Sequence, residues 1–181
     1  MAGALDGLRV IDLTVWFQGP VAAQHLADFG AEVIKVERPQ GGDQGRGVRS
    51  IKALPVGDWN QYFLVINRNK KGLALDLKKP EAREILYRLV EKSDVFLTNL
   101  GAENLERWEL SYEKLRSINP RLIYATNSGY GPFGGIDDPE GLGAGRFGKL
   151  DALLSLDECA DRLKQFLSID GLHSVGEATC P

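Results

Sequence analysis

The sequence predicts an α/β fold with an open, mostly parallel sheet and flanking helices. Short β-branched and apolar runs, typical of buried strands, alternate with segments that carry apolar residues at helical spacing. The first two runs are Leu8–Leu13, reading LRVIDL, and Glu32–Glu37, reading EVIKVE. Between them Val21–Phe29 has a helical pattern, with Pro20 suited to its first turn and Gly30 placed to end it in the left-handed conformation. Strand, helix and strand within about thirty residues form the βαβ unit of a parallel sheet.

The alternation continues through most of the chain. The clearest helix begins at Pro80, because apolar residues from Ala82 to Val90 repeat at i, i+3, i+4, i+7 and i+8. The Gly-rich stretch Gln40–Gly57 has no periodicity and is expected on the surface. The other predicted strands are Gln61–Asn67, Leu73–Leu77, Asp94–Thr98 and Arg121–Thr126, and short helices are predicted around Ala102–Trp108 and Ser111–Ile118. Together these elements predict a Rossmann-like sheet.

The sequence changes character after Gly135. The segment DDPEGLGAGRFG has no pattern, and Leu150–Leu167 contains one predicted helix. Ser155 is its expected N-cap, with Glu158 three residues later, as in a capping box. We therefore expect one domain over residues 1–139 and an irregular tail with a single helix over residues 140–181.

Composition and charge exclude several classes of function. Of the 181 residues, 43% are hydrophobic and 26% charged, and a net charge of -3 gives no broad attraction to nucleic acid or anionic membrane. No apolar run approaches the roughly 20 residues that span a bilayer, and the first residues do not resemble a signal peptide. Cys159 and Cys180 form neither a disulfide framework nor, with the two histidines, a metal-binding pattern. We expect a cytoplasmic protein with no metal, no nucleic acid partner and no membrane partner.

Several common site motifs are absent. The turn after the first predicted strand reads VWFQGP, with one glycine and two bulky aromatics, whereas a dinucleotide turn needs three spaced glycines. No P-loop, nucleophile elbow or zinc-protease motif occurs. His25 and His173 stand alone, and His25 is expected to be a structural residue between apolar neighbours in a helix.

Polar residues at strand ends remain as candidates, because ligands of open α/β sheets bind there. These residues are Arg38, the turn Asn69–Lys71, Asn99, and Arg107 on the helix beyond it. Arg and Lys at such positions suit phosphate groups, Arg through its bidentate fork and Lys as a point charge. The same pattern is typical of solvated charges that flank strands, so the residues alone leave both interpretations open.

Five motifs carry a resemblance to a known family. In order, they are LDGLRVIDLT, QGPVAAQHLADFGAEVIKVERPQGGDQGR, NRNKKGLALDLKKPEAR, SDVFLTN and NPRLIYATNSGYGPFGG. From about Leu5 to Gly135 the chain resembles class III CoA-transferases of the CaiB/BaiF type, such as formyl-CoA transferase. The resemblance implies transfer of CoA from an acyl-CoA to a carboxylic acid, with CoA a substrate and not a permanently bound cofactor. It also implies interlocked homodimers.

The resemblance further implies a set of CoA contacts, by position. At the thioester end the implied contacts are Trp16, Phe17 and Gln18. Along the pyrophosphate and pantetheine they are Asn99, Leu100 and Arg107. At the adenine and phosphate end they are Leu75, Lys78 and Arg38. The bulky Trp-Phe pair suggests a distinct acyl pocket. Leu75 and Leu100, being apolar residues near strands, are also typical of core positions.

The chain departs from the family at the catalytic residue. Family members use an aspartate in a G-D-type segment as the nucleophile that attacks the thioester. No residue occupies matching context here, although aspartates occur at Asp137, Asp138, Asp151, Asp157 and Asp170. We expect a truncated or frame-shifted transferase chain with no catalytic residue and no activity by itself. The open alternatives are an α-methylacyl-CoA racemase fragment, a non-catalytic CoA-binding or assembly fragment, and a generic Rossmann-like domain with another ligand.

Overall fold

A five-stranded sheet organises the protein. The computed structural model describes residues 3–47 and 60–127. All five described strands are parallel and lie in the order β3-β2-β1-β4-β5. Their bounds are β1 Arg9–Leu13, β2 Glu32–Glu37, β3 Lys70–Ala74, β4 Val95–Thr98 and β5 Ile123–Thr126. The prediction of an open α/β sheet is confirmed.

Helices cover both faces of this sheet. The helices of the described ranges are α1 Gln18–Asp28, α2 Gln61–Asn67, α3 Pro80–Val90, α4 Ala102–Arg107 and α5 Tyr112–Ile118, with a 3₁₀ turn at Gln44–Gly47. On one face α1 packs through Ala23 and Ala27 against β1, β2 and β4. On the other face α3, α4 and α5 form the larger core around Phe96 and Leu86, both fully buried.

Strand alternation decides which side chains meet which helices. In β1, Ile11 and Leu13 belong to the core under α3, whereas Val10 belongs to the cluster under α1. Successive strand residues point to opposite faces, so Asp12 shares the α1 face with Val10. Lys35 of β2 shares that face with Val33 for the same reason. The α1 face of the sheet therefore carries charged groups where the other face is apolar.

The strand order places the topological switch point of the sheet between β1 and β4, and the region beyond the carboxyl ends of these two strands is here called the crevice. From β1 the chain runs outward through β2 to β3 on one side, then returns to β4 and β5 on the other. The connections therefore diverge beyond the carboxyl ends of β1 and β4, where open α/β sheets bind their ligands.

Two sequence predictions need correction. Gln61–Asn67 is the helix α2 and not a strand; Asn60 caps it by accepting a hydrogen bond from the Phe63 amide at 2.9 Å. Its buried residues, Phe63 and Ile66, are three apart, which is a helical spacing. The strand predicted at Leu73–Leu77 instead begins at Lys70 and ends at Ala74.

The other local predictions have mixed outcomes. Gly30 adopts φ +106° after α1, as expected of a helix-ending glycine. His25, expected to be a structural residue between apolar neighbours, is exposed on α1. Part of Gln40–Gly57 is not on the surface, because Asp43 and Gly45 are buried. The tail, its predicted helix and the boundary at residue 139 lie outside the described residues.

Candidate functional site

The loop that joins β1 to α1 lies beyond the carboxyl end of β1, at the switch point of the sheet. It carries Trp16 and Phe17, whose side chains are 49% and 53% exposed, and Gln18, the exposed first residue of α1. Trp16 has φ +68°, a conformation that bulky residues rarely adopt and that costs about 1–3 kcal/mol. The Phe17 ring packs 6.0 Å from the ring of Tyr62 on α2. Large aromatic surface is thus held at the mouth of the crevice in a strained backbone.

Asn99, directly after β4, ties this loop to the neighbouring strand. Its Oδ1 accepts a hydrogen bond from the Val15 amide at 2.9 Å, and its Nδ2 donates to the Val15 carbonyl at 2.7 Å. Below it, the Thr98 hydroxyl donates to the Leu13 carbonyl at 3.2 Å. The two strands that border the crevice are therefore joined beyond the end of their ladder.

Four ionisable side chains form a buried ion cluster beneath the same loop: Asp12, Lys35, Asp43 and Lys70. Lys70 Nζ lies 2.8 Å from Asp12 Oδ2, and Lys35 Nζ lies 2.8 Å from Asp43 Oδ2 and 3.9 Å from Asp12 Oδ2. All four side chains are at most 2% exposed. Two carboxylates and two ammonium groups make the cluster neutral as a whole.

The lysines of this cluster also hold the loop backbone. Lys35 Nζ donates to the Thr14 carbonyl at 2.8 Å, at the beginning of the loop. Lys70 Nζ donates to the Pro20 carbonyl at 2.7 Å, just past its end, and to Asn67 Oδ1 at 2.8 Å. Burial lowers the pKa of Lys70, and the adjacent Asp12 carboxylate offsets only part of that shift.

Arg38, the first residue after β2, is exposed at the same edge. Its Nε donates to the Gly42 carbonyl at 3.0 Å, and its other guanidinium nitrogens have no hydrogen bond within the described ranges. Its neighbour Glu37 accepts hydrogen bonds from Arg46 at 2.7 and 2.8 Å and from the Asp43 amide at 2.8 Å. Burial raises the pKa of Glu37, but Arg46 and the Asp43 amide outweigh it and the pKa lies below its usual value. The Glu37 carboxylate thus binds the loop that follows it, whereas the Arg38 guanidinium has N–H groups that can bind a ligand.

The remaining predicted residues differ in accessibility. Leu75, directly after β3, is buried in the core under α3, and its amide donates to the Glu37 carbonyl at 2.8 Å. Lys78 is exposed three residues later. Leu100 packs against that same core, while Arg107 is exposed in the last turn of α4. Leu75 and Leu100 thus have the core positions that apolar residues near strands usually have.

Hydrogen bonds connect some of the sequence-predicted site residues, while others are not connected to them. The Trp16–Gln18 loop and Asn99 are joined through Val15, and the ends of β2 and β3, with Arg38 and Leu75, are joined by a backbone hydrogen bond. No described contact links Arg107 to the others. Sequence reasoning missed the buried ion cluster. A signal for it existed, since Asp12 and Lys35 are single charges inside otherwise apolar strand patterns and are direct partners in the β1–β2 register.

A second concave region lies at the opposite, amino edge of the sheet. A surface cavity of about 530 Å³ is lined there by Arg9, Glu32, Lys71 and Lys92, among others. Glu32 accepts hydrogen bonds from both Arg9 and Lys71, which lower its pKa. The helices α1 and α3 end towards this edge, and the carbonyl groups at helix C-termini attract cations. The basic residues here are therefore explained without a bound ligand.

Two further features are absent from the described residues. These residues contain no helix long and apolar enough to cross a membrane. They also contain no group of three or more His, Cys, Asp or Glu side chains arranged to bind a metal ion.

A parallel sheet with a crevice at its switch point defines an α/β domain of the kind that binds nucleotide-like ligands. The sequence profile of the family described as CoA-transferase family III matches residues 5–145. This chain belongs to CoA-transferase family III, as its motifs predict.

Comparison with individual proteins gives the same family. Formyl-CoA:oxalate CoA-transferase from Rhodopseudomonas palustris (strain TIE-1) is 45% identical over 132 residues, which are 73% of this chain and 30% of that protein. The protein of the same name from Bradyrhizobium sp. (strain ORS 278) is 43% identical over 132 residues, with the same two shares. The chain spans about 30% of the length of these curated relatives.

Solved structures share the fold. The orthorhombic crystal form of Rv3272 from Mycobacterium tuberculosis superposes with a TM-score of 0.67 at 43% identity, covering 74% of this chain and 36% of that one. A CaiB/BaiF family protein from Brucella suis gives a TM-score of 0.65 at 38% identity, covering 72% and 35% of the two chains.

Proposed function

We propose that the described domain binds the CoA part of an acyl-CoA at the carboxyl edge of its sheet, and that it serves a CoA-transferase that moves CoA from an acyl group to a carboxylic acid. One observation carries the proposal: the Trp16–Gln18 loop and Asn99, predicted separately as CoA contacts, meet through Val15 at the switch point between β1 and β4. CoA is a substrate in this scheme and not a permanently bound cofactor.

The free cations at the same edge support an anionic ligand. Arg38 and Lys78 follow β2 and β3, and within the described ranges neither side chain has an ion pair with a carboxylate. A guanidinium with unused N–H groups can form a charge-assisted pair with a phosphate, and an ammonium adds a point charge. We assign Arg38 and Lys78 to the adenine and phosphate end, and Arg107 with the backbone at Asn99 and Leu100 to the pyrophosphate and pantetheine.

The aromatic pair at the mouth of the crevice suggests the character of the acyl group. Two curated relatives are named for formyl-CoA and oxalate, which offer little apolar surface. Trp16 and Phe17 instead present half-exposed rings beside Gln18. Because aromatic side chains gain free energy by burying apolar surface, we assign this chain an acyl group with a hydrocarbon part.

The catalytic step is assigned to no residue of this chain. Nucleophilic transfer needs a carboxylate held against the thioester carbonyl. Within the described residues, Asp12 and Asp43 are tied into the buried ion cluster, and they are not candidates. Because no aspartate of the chain stands in the family's sequence context for the nucleophile, we propose that the 181 residues alone bind CoA without transferring it. Trapping with hydroxylamine, followed by peptide mass analysis, tests this directly, because a modified aspartate in the chain would overturn it.

Calorimetry with CoA and dephospho-CoA tests the binding proposal. Arg38→Ala should weaken CoA binding roughly 10- to 100-fold, since a charge-assisted hydrogen bond is worth about 1.5–3 kcal/mol. The same variant should affect dephospho-CoA less. The matched control is Arg88→Ala, which removes an exposed arginine in the last turn of α3. Equal losses for both ligands would remove Arg38 from the phosphate site, and no saturable binding to the wild-type chain would refute CoA binding.

Two parts of the scheme rest on the sequence alone. The resemblance implies interlocked homodimers for full-length family members, and we assign no such dimer to this chain alone. The cysteine pattern favours the cytoplasm.

A further inference from the structure

The loop that carries Trp16 is under strain and needs support. A tryptophan at φ +68° persists only where its surroundings over-determine the backbone. Phe17, the N-cap of α1, supplies no side-chain cap to the helix. Local sequence preference therefore does not account for the conformation.

Two buried lysines of the sheet support the loop backbone, one at each end of the loop. Lys35, on β2, reaches the Thr14 carbonyl, and Lys70, on β3, reaches the Pro20 carbonyl. All three N–H groups of Lys70 have acceptors, namely Pro20 O, Asp12 Oδ2 and Asn67 Oδ1. The loop is thus fixed to two strands with which it shares no backbone ladder.

Stability alone does not explain four buried charges. Removing carboxylates and ammonium groups from water carries a desolvation penalty that their attraction often fails to exceed, and apolar replacements of similar volume are often neutral or stabilising. Apolar side chains at Lys35 and Lys70 would pack, but they could not donate to the Thr14 and Pro20 carbonyls. What the cluster adds is therefore a fixed position for the loop.

We infer that the buried ion cluster of Asp12, Lys35, Asp43 and Lys70 positions the strained Trp16–Gln18 loop for the thioester end of CoA. Lys35 and Lys70 are positioning residues: they act through the loop backbone and do not touch the ligand. Asp12 and Asp43 pair with both lysines and hold their ammonium groups in place. The loop-positioning role stands on the contacts above, whereas its consequence for CoA rests on the proposed function.

The test compares a charge-balanced variant with two controls. Asp12→Asn with Lys70→Met removes the Lys70–Asp12 pair and the longer Lys35–Asp12 contact of 3.9 Å, and it leaves Lys35 paired with Asp43 at 2.8 Å. No buried charge is orphaned, whereas Lys70→Met alone would remove the nearer partner of Asp12 and is avoided. Val90→Ala destabilises the core on the opposite face without touching the loop. Lys71→Met removes the exposed neighbouring lysine, which pairs with Glu32.

Amide hydrogen exchange at Val15 and Val21 reads the loop directly, because these amides donate to Asn99 Oδ1 and to the Phe17 carbonyl. In the double variant both should exchange at least tenfold faster while Phe96 and Leu97 in β4 stay protected. Both controls should leave Val15 and Val21 as in the wild type. Unchanged exchange at Val15 and Val21 in the folded double variant would overturn the positioning role.

Calorimetry with CoA adds the functional readout. The double variant should bind CoA about tenfold more weakly, and Val90→Ala should bind it as the wild type does. If the wild-type chain binds no CoA, the proposed function fails, yet the exchange measurement still decides the loop-positioning role. Equal affinity of the wild type and the double variant, with a loosened loop, would overturn the link to the ligand.

Discussion

The side-chain amide of Asn99 satisfies both backbone polar groups of Val15, accepting from its N–H and donating to its carbonyl. Asn99→Ala leaves these two partly buried groups without partners, so we expect a loss of about 1–3 kcal/mol in the free energy of unfolding and weaker CoA binding. Asn119→Ala is a matched control, because Asn119 also donates two hydrogen bonds, to the carbonyls of Val90 and Ser93 at 2.9 and 2.8 Å. It should lose comparable stability and keep the wild-type CoA affinity. If both variants lose the same affinity, Asn99 has no special relation to the ligand.

Trp16→Gly tests whether the Trp16 side chain contacts the acyl group, because it removes the ring together with the backbone strain. Glycine adopts positive φ without steric penalty, so it removes the strain of Trp16 at φ +68° but adds unfolded-chain entropy. We expect the midpoint of urea unfolding to change little, whereas affinity for a long-chain acyl-CoA falls more than affinity for free CoA. Calorimetry with both ligands measures this difference. A parallel loss for both ligands would argue against an acyl contact at Trp16.

Gly19 is required by the close approach of Thr14. A Cβ atom at position 19 would lie 2.5 Å from Thr14 Cβ, and Thr14 is buried with its hydroxyl bonded to Asp12. Because that side chain has no room to move, Gly19→Ala should destabilise the chain by about 1–3 kcal/mol in urea unfolding. Gly72→Ala is the control, since nothing lies within 4 Å of its Cβ position. A tolerated Gly19→Ala would show that the loop is looser than its contacts indicate.

Acid should weaken the segment after β2 through Glu37. Its pKa is lower in the folded chain than in the unfolded chain, so its stabilising contribution is present above the unfolded value of about 4.3 and is lost as pH falls through the folded value. We expect Glu37→Gln to be less stable than the wild type at pH 7, with a difference that shrinks towards pH 3. Urea unfolding at both pH values measures it.

The control for that pH effect is Glu91→Gln, at an exposed residue that has no ion pair within the described ranges. Its difference from the wild type should be small at both pH values. A Glu37→Gln difference that stays constant with pH would mean that Glu37 does not carry the acid sensitivity.

The local sequence pattern predicted the elements that bury one apolar face. It gave the wrong element where the connection between strands determines the structure. Pro80–Val90 was predicted correctly because its apolar stripe has helical spacing and a proline opens it. Gln61–Asn67 reads as a strand because aromatic and β-branched residues dominate it. The connection between the parallel strands β2 and β3 nevertheless needs a crossover, and Asn60 supplies the cap that makes it a helix.

The candidate site was predictable in part for a similar reason. Motif resemblance located the loop at Trp16 and the position of Asn99, but not their contact through Val15. The charges at Asp12 and Lys35 could be read as a cross-strand pair, since the two residues are register partners. Asp43 and Lys70 could not be added to them, because Asp43 comes from a Gly-rich stretch without periodicity and Lys70 precedes the segment that reads as a strand.

Titration of CoA into the uniformly ¹⁵N-labelled chain, followed by two-dimensional NMR, tests CoA binding at the carboxyl edge most directly. Saturable shifts should appear at the amides of Val15, Gly19, Arg38 and Leu100, which follow the ends of β1, β2 and β4. Amides around the amino-edge cavity, at Gly7, Gly30 and Lys71, should stay unchanged. Shifts confined to the amino-edge cavity, or no saturable shift at all, would contradict CoA binding at the crevice between β1 and β4.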